Sequence, residues 1–138
     1  LQGAQDAIWD PARAAFVDIE TTGLSRGAGT CAFLIGIGGF DTDGLFVRQY
    51  FMPDYEDEEA LLDGVAEELA GRVGLVSFNG RAFDWPILQT RFILSRREPP
   101  ERMDPHLDVL LVSRRLWRRR FMRFADYQKL LNAVKLRD

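Results

Sequence analysis

Asp18 and Glu20, separated only by Ile19 in the run Ala14-Ala15-Phe16-Val17-Asp18-Ile19-Glu20-Thr21-Thr22-Gly23-Leu24, are the residues whose types and spacing first suggest chemistry. Side chains alternate between the two faces of a strand. Two acids with one apolar residue between them therefore share a face, roughly 7 Å apart along it. A divalent cation, or a pair of cations about 4 Å apart, bridges such a span. Val17 and Ile19 point the other way and anchor the strand in a core. Thr21-Thr22-Gly23 then turns the chain away, leaving the acids at a strand end that a ligand can reach. This arrangement suits metal-assisted cleavage of a phosphate ester. The alternative is a pair of solvated acids at a strand edge.

The bulk properties narrow the kind of site these acids can form. The chain has 138 residues, 46% of them hydrophobic and 28% charged, which fits one soluble globular domain (residues 1–138) with a real core. No apolar run approaches the roughly 20 residues needed to cross a membrane, and no cleavable signal pattern opens the chain. The single cysteine, Cys31, excludes an internal disulfide and fits a reducing, cytoplasmic setting. One cysteine and one histidine also exclude a zinc site built from thiolates and imidazoles. Any metal must be held by carboxylates, which favours Mg2+ or Mn2+. The net charge of −3 hides a segregation. Asp41 to Glu68 carries ten acids against one base, Arg48, whereas Arg91 to Arg123 carries ten arginines against four acids. An arginine-rich half suits bidentate contact with a phosphate backbone, or else forms a solvated helix face.

The elements that must position the acids follow from pattern. Ala14 to Ile19 reads as a first strand and Thr30 to Phe40 as a second, nearly continuous in apolar residues, with Gly36, Gly38 and Gly39 allowing close approach. Asp41-Thr42-Asp43-Gly44 is a hairpin turn and Leu45 to Phe51 the return strand. Glu58 to Arg72 has helical spacing at Leu61, Leu62, Val65, Ala66 and Leu69, with acids crowding its first turn. Leu75 to Phe78 is a short strand and Asn79-Gly80 a turn. A second helix runs from about Phe83 to Leu94 with Pro86 in its first turn. A third follows His106-Leu107-Asp108 and runs through Arg119, expected to bury Leu110, Leu111 and Leu116 and to expose its arginines. The order is strand–strand–strand–helix–strand–helix: an α/β fold with a central mixed sheet, its three antiparallel strands first and alternating helices and strands after them.

Two of these stretches resemble known motifs. Asp18-Ile19-Glu20-Thr21-Thr22-Gly23-Leu24 resembles the first motif of the DEDD 3′–5′ exonuclease superfamily, which has the ribonuclease H-like fold. Phe78-Asn79-Gly80-Arg81-Ala82-Phe83-Asp84-Trp85-Pro86-Ile87-Leu88 resembles the second, with Asp84 in the place of its metal-binding acid. Phe33 to Gly38, Gln49-Tyr50-Phe51 and His106-Leu107-Asp108 followed by Ser113-Arg114-Arg115-Leu116-Trp117 narrow the similarity to the bacterial YprB-type ribonuclease H-like domain, over roughly residues 14 to 118. The resemblance implies catalytic, metal-holding roles for Asp18, Glu20 and Asp84 and two bound Mg2+ or Mn2+ ions. It implies a substrate pocket formed by Thr21, Thr22 and Leu24, with Leu24 against the terminal base. Asn79 either orients the substrate or the Asp84 loop, or simply fills a turn. The implied substrate is single-stranded DNA or RNA, shortened from its 3′ end.

The chain departs from that pattern in one place. The family's fourth acid lies in a His-Asn-x-x-Asp-like stretch, and none is present. Asp108 is only two residues after His106 and reads as a helix N-cap, with a supporting role beside the metal ligands as the alternative. Phe121 to Lys129 weakly resembles the segment before the final motif, with Arg137-Asp138 where its His-Asn would stand, so the last part of the domain is expected to be incomplete. Asp126 is the other candidate for the fourth ligand. Three functions follow in order: a metal-dependent 3′–5′ exonuclease, a catalytically degenerate nucleic-acid-binding module of the same fold, and a protein-interaction scaffold. Gly36-x-Gly38-Gly39 lacks the strand-to-helix context of a dinucleotide fingerprint. Trp9, Trp85 and Trp117 read as packing residues.

Overall fold

A computed structural model describes residues 10–23, 29–100 and 103–117. Its five strands are β1 (Ala15–Thr21), β2 (Ala32–Asp41), β3 (Gly44–Phe51), β4 (Leu75–Ser77) and β5 (His106–Asp108). The helices are α1 (Glu58–Leu69), α2 (Asp84–Leu94) and α3 (Val109–Leu116). The sheet runs β3-β2-β1-β4-β5. β1, β2 and β3 form an antiparallel meander, whereas β4 is parallel to β1 and β5 parallel to β4. This is the mixed sheet and element order of a ribonuclease H-like fold. Among the described residues no helix is long and apolar enough to cross a membrane.

Alternation along β1 divides the sheet into two unlike faces. Ala15, Val17 and Ile19 are buried, and the cross-strand register sets Val17 beside Ile37 and Ile19 beside Ile35. The amphipathic face of α1 (Leu61, Leu62, Val65 and Leu69) and Leu88 and Phe92 of α2 complete this core. Each of the fully buried side chains, such as Ile35, Leu62 and Phe92, contributes about 1.5–3 kcal/mol relative to exposure. The helices are tied together by Arg91, whose Nε and Nη2 donate to Glu58 Oε1 and Oε2 at 2.6 and 2.5 Å. Arg48 and Arg72 pair with Glu68 and so fasten α1 to β3.

The opposite face carries Phe16, Asp18 and Glu20 of β1, Gly36 and Gly38 of β2 and Val47 and Gln49 of β3. It contains a shallow cavity of about 460 Å³ bordered by Asp18, Gly36, Val47 and Val109. Val47 is largely exposed there, as is Leu45. β2 is thus covered on one face only, and its glycines leave the other face low and open.

The elements match the expectation from pattern, with shifts of one to three residues at their ends. Two features differ. His106–Asp108 pairs with β4 as a fifth strand, a segment too short to announce itself by alternation. In α3 Leu110 is buried, but Leu111 and Leu116 are exposed among the described residues, because only one narrow side of this eight-residue helix meets the rest of the described fold. Arg114 and Arg115 are exposed, as expected. Trp85 is half-buried against the core with its ring roughly perpendicular to that of His106, while Trp117 is exposed. Trp9, Leu24, Arg118 and Asp126 lie outside the described residues.

Candidate active site

The candidate site forms where parallel β1, β4 and β5 end together. Asp18 and Glu20 share the open face of β1, both exposed, with Ile19 between them in the core. Their register partners on β2 are Gly36 and Leu34, so Asp18 looks onto a strand position with no side chain. The register shifts between Glu20 and Thr21, which marks the end of regular pairing. Hydrogen bonds then close the turn. Thr22 N donates to Cys31 O at 3.0 Å, Cys31 N donates to Thr22 Oγ1 at 3.2 Å, and Thr21 Oγ1 donates to Gly23 O at 3.2 Å.

Asp84 arrives from the next strand. β4 ends at Ser77, and the turn Asn79-Gly80-Arg81 leads into α2, of which Asp84 is the first residue. A carboxylate is favoured at a helix N-terminus. This one is only 7% exposed, and its Oδ2 has no hydrogen-bond partner. Burial is the main cause that pushes its pKa up to about 7, followed by the negative charges of Asp18, Asp108 and Glu20. Asp18 and Glu20 therefore act on the Asp84 carboxyl electrostatically across the strand ends. An orphaned, buried carboxylate oxygen beside other acids suits a proton or a hard cation. The donor set, all oxygen and all acidic, fits Mg2+ or Mn2+ in type. Among the described residues, however, no three His, Cys, Asp or Glu side chains stand close enough together to hold an ion as they are.

The turn that delivers Asp84 is over-determined. Asn79 has φ 63°, a left-handed conformation that asparagine tolerates better than most residues. Its backbone N–H donates to Asp108 Oδ1 at 2.9 Å, and Arg81 N–H donates to Asp108 Oδ2 at 3.2 Å. Asp108 Oδ1 also accepts from Leu110 N at 3.0 Å, capping α3. Trp85 N donates to Gly80 O at 2.9 Å, tying the turn to the first turn of α2. Gly80 cannot carry a side chain: a Cβ there would overlap Ser77 and come within 3.4 Å of Asp84 Oδ2. Ser77 Oγ stands 2.7 Å from His106 Nε2. His106 is held below its ordinary pKa chiefly by burial and by Arg81, with Asp108 and Asp104 acting in the opposite sense. It is thus a neutral partner for Ser77 near neutral pH.

Asp108 is therefore more than the N-cap that its position suggested, since one carboxylate both caps α3 and clamps the Asp84 turn. The capping signal was legible, but the clamp depends on β4–β5 pairing, which local pattern does not reveal. Ser77 likewise carried no signal of its own. Asn79 is placed by its backbone in this clamp. Thr21 ends β1, directly after Glu20, and Thr22 begins the turn that follows.

A family model described as the RNase_H superfamily matches residues 15–133. Over 109 residues, 78% of this chain, the sequence is 39% identical to the uncharacterized protein YprB of Bacillus subtilis (strain 168). The chain spans about a quarter of that relative, 26% of its length. Among solved structures, a family B DNA polymerase from the hyperthermophilic archaeon Pyrobaculum calidifontis aligns over 70% of this chain and 15% of its own, at 17% identity and a TM-score of 0.48. The match runs from the first residue of β1 past the end of α3 and takes in every strand and helix that carries a candidate acid, so the chain belongs to the RNase_H superfamily.

Proposed function

We propose that this domain is a metal-dependent 3′–5′ exonuclease of the DEDD type, removing nucleotides from the 3′ end of single-stranded DNA or RNA. The observation that carries the reading is the buried, unpartnered Oδ2 of Asp84 set among Asp18, Glu20 and Asp108. Asp18, Glu20 and Asp84 would hold two Mg2+ or Mn2+ ions, which supply an activated water and stabilisation of the leaving 3′ oxygen. The chain's own part is positional. Asp108 and Gly80 hold the Asp84 turn, the open face of β1 and β2 leaves room for a strand, and Thr21, Thr22 and Leu24 flank the terminal nucleotide. Asn79 shapes the loop that brings Asp84 in.

The direct test uses a 5′-labelled oligonucleotide with Mg2+ or Mn2+. The wild-type chain yields a ladder of 3′-shortened products, chelator stops it, and Asp18→Ala lowers the rate roughly a thousandfold, equivalent to about 4 kcal/mol of transition-state stabilisation. Activity that persists in Asp18→Ala or in chelator refutes the assignment.

One observation favours a second reading, a nucleic-acid-binding module that cleaves nothing. Among the described residues no three acids stand close enough for a ready ion site. That reading predicts binding that weakens steeply with salt, and no turnover under any divalent ion.

A further inference from the structure

Two large aromatic rings near the candidate site are not accounted for by the core. Phe51, the last residue of β3, is 61% exposed, and Tyr55, four residues on, is 66% exposed. With Phe33, Pro53 and Thr22 they border a cavity of about 390 Å³. That volume lies within the range of small-ligand pockets. Its frame is held by three hydrogen bonds, two between backbone groups and one to a side chain. Met52 N donates to Phe33 O at 2.9 Å, Thr22 N donates to Cys31 O, and Asp54 Oδ1 accepts from Tyr55 N at 2.8 Å to start the 3-10 helix Tyr55–Asp57.

The register ties this pocket to the acids. Glu20 pairs with Leu34, and Leu34 pairs with Phe51, so the three lie in one row on the open face of the sheet. Two strand spacings separate Glu20 from Phe51, roughly 10 Å. Thr22, which borders the pocket, is also two residues from Glu20 in the chain. The pocket thus lies at the end of the sheet where β1 carries Glu20, with Thr22 on its border.

We propose that this aromatic pocket is a nucleobase subsite: a single strand whose scissile phosphate lies at Asp18, Glu20 and Asp84 sets a neighbouring base against Phe51 and Tyr55. The proposal rests on the nuclease reading and adds a determinant of substrate class to it. The chemistry of the lining selects a base over a phosphate. Among the described residues no cationic side chain borders the cavity, and Asp54 lies on it, with Glu56 and Asp57 following in the chain, which disfavours a phosphate there. A neutral, flat ring is not disfavoured, and stacking on an aromatic face accepts every base. Thr22 Oγ1 is engaged with Cys31, which leaves the Tyr55 hydroxyl as the neutral polar group for a base edge. The pocket therefore favours strands with an unstacked base near the 3′ end and gives little preference among the four bases.

The experiment measures binding, by fluorescence anisotropy, of a 5′-labelled ten-nucleotide thymidine strand with Ca2+ in place of Mg2+. It uses the wild-type chain and the double variant Phe51→Ala/Tyr55→Ala, and repeats with strands abasic at one of the last three positions. Both rings are exposed, so the variant keeps its fold, which its melting temperature checks. A conservative Phe51→Trp variant should bind like wild type. The expected loss in the double variant is about 10- to 100-fold, the size of one lost stacked base. An abasic substitution at one of the three positions should cost the wild type the same factor and the variant nothing further. The salt dependence should be the same in both. The proposal is overturned if the double variant binds the intact strand as tightly as wild type, or if every abasic loss persists in the variant. A wild-type chain that trims the strand while the variant binds normally removes only the pocket. A wild-type chain that neither binds nor trims removes the nuclease reading with it.

Discussion

The carboxylate of Asp108, at the end of β5, accepts the backbone N–H of Asn79, just past the end of β4, at 2.9 Å. Its other oxygen accepts from Arg81, and Oδ1 also takes the Leu110 amide. One buried side chain, 4% exposed, thus serves two elements at once. It begins α3 and fixes the turn from which Asp84 is presented. Buried donors left without acceptors cost about 1–3 kcal/mol each, so this clamp sets where Asp84 can stand.

Replacing Asp108 separates the two roles. Asp108→Ser retains a hydroxyl that can cap α3 but cannot reach both turn amides. Amide exchange, followed by NMR, should then speed up at Asn79 and Arg81 while Leu110 stays protected. Mn2+ affinity, measured by calorimetry, should fall about tenfold or more, as for other residues that orient a ligand without touching the ion. Equal loss of protection at all three amides would mean that the residue is only a cap.

Asp84 makes stability depend on pH in a defined direction. Its pKa is raised to about 7, above the ordinary carboxyl value, by burial first and then by Asp18, Asp108 and Glu20. Between about pH 4 and pH 7 the folded chain holds a proton that the unfolded chain has released. Stability therefore falls as pH rises through that window and levels off above it. Asp84→Asn removes this dependence and is the more stable form at pH 8, by on the order of a few kcal/mol. Mn2+ takes the proton's place, so saturating Mn2+ should raise the wild-type melting temperature at pH 8 and leave that of the variant unchanged. Urea midpoints at pH 5 and pH 8, with and without Mn2+, check both parts.

Gly80→Ala should disturb the site more than its size suggests. The added methyl meets Ser77, which is buried and bonded to His106, and approaches Asp84 Oδ2. A loss of about 1–3 kcal/mol in chemical unfolding is expected, as for other overpacked positions. Nuclease activity should fall further than the stability loss explains. Ala82→Gly, on the exposed side of the same turn, is the control.

The arginines of α3 should act through charge alone. Arg114 and Arg115 are exposed in its last turn. If both neutralise phosphates of a bound single strand, Arg114→Gln/Arg115→Gln lowers the slope of log affinity against log salt by about 1.4. An unchanged slope would make them a solvated helix face.

The parts of the fold that sequence made legible were those governed by local period. Asp18-Ile19-Glu20 revealed its strand and its two faces by alternation, and Leu61, Leu62, Val65 and Leu69 revealed α1 by helical spacing. Asn79-Gly80 marked a turn and Pro86 the first turn of α2, whereas Asp84 was singled out only by the resemblance of Phe78 to Leu88 to a known motif. What escaped depends on contacts distant in the chain. β5 is a strand only because β4 lies beside it, and the Asp108 clamp spans 27 to 29 residues to reach the turn amides. The exposure of Leu111 and Leu116 reflects which side of α3 meets the rest of the described fold, and periodicity gives the stripe without giving its partner. The pocket at Phe51 and Tyr55 joins three strand ends that only the register brings together.

The account turns on a shared cation, and a crystal structure of the Mn2+-soaked protein with anomalous scattering tests this most directly. The account predicts anomalous density at the ends of β1 and β4, coordinated at about 2.1 Å by carboxylate oxygens of Asp18, Glu20 and Asp84, with Asp84 Oδ2 among them. Density absent from that position at saturating Mn2+, or bound elsewhere while Asp84 keeps its unpartnered oxygen, would contradict it.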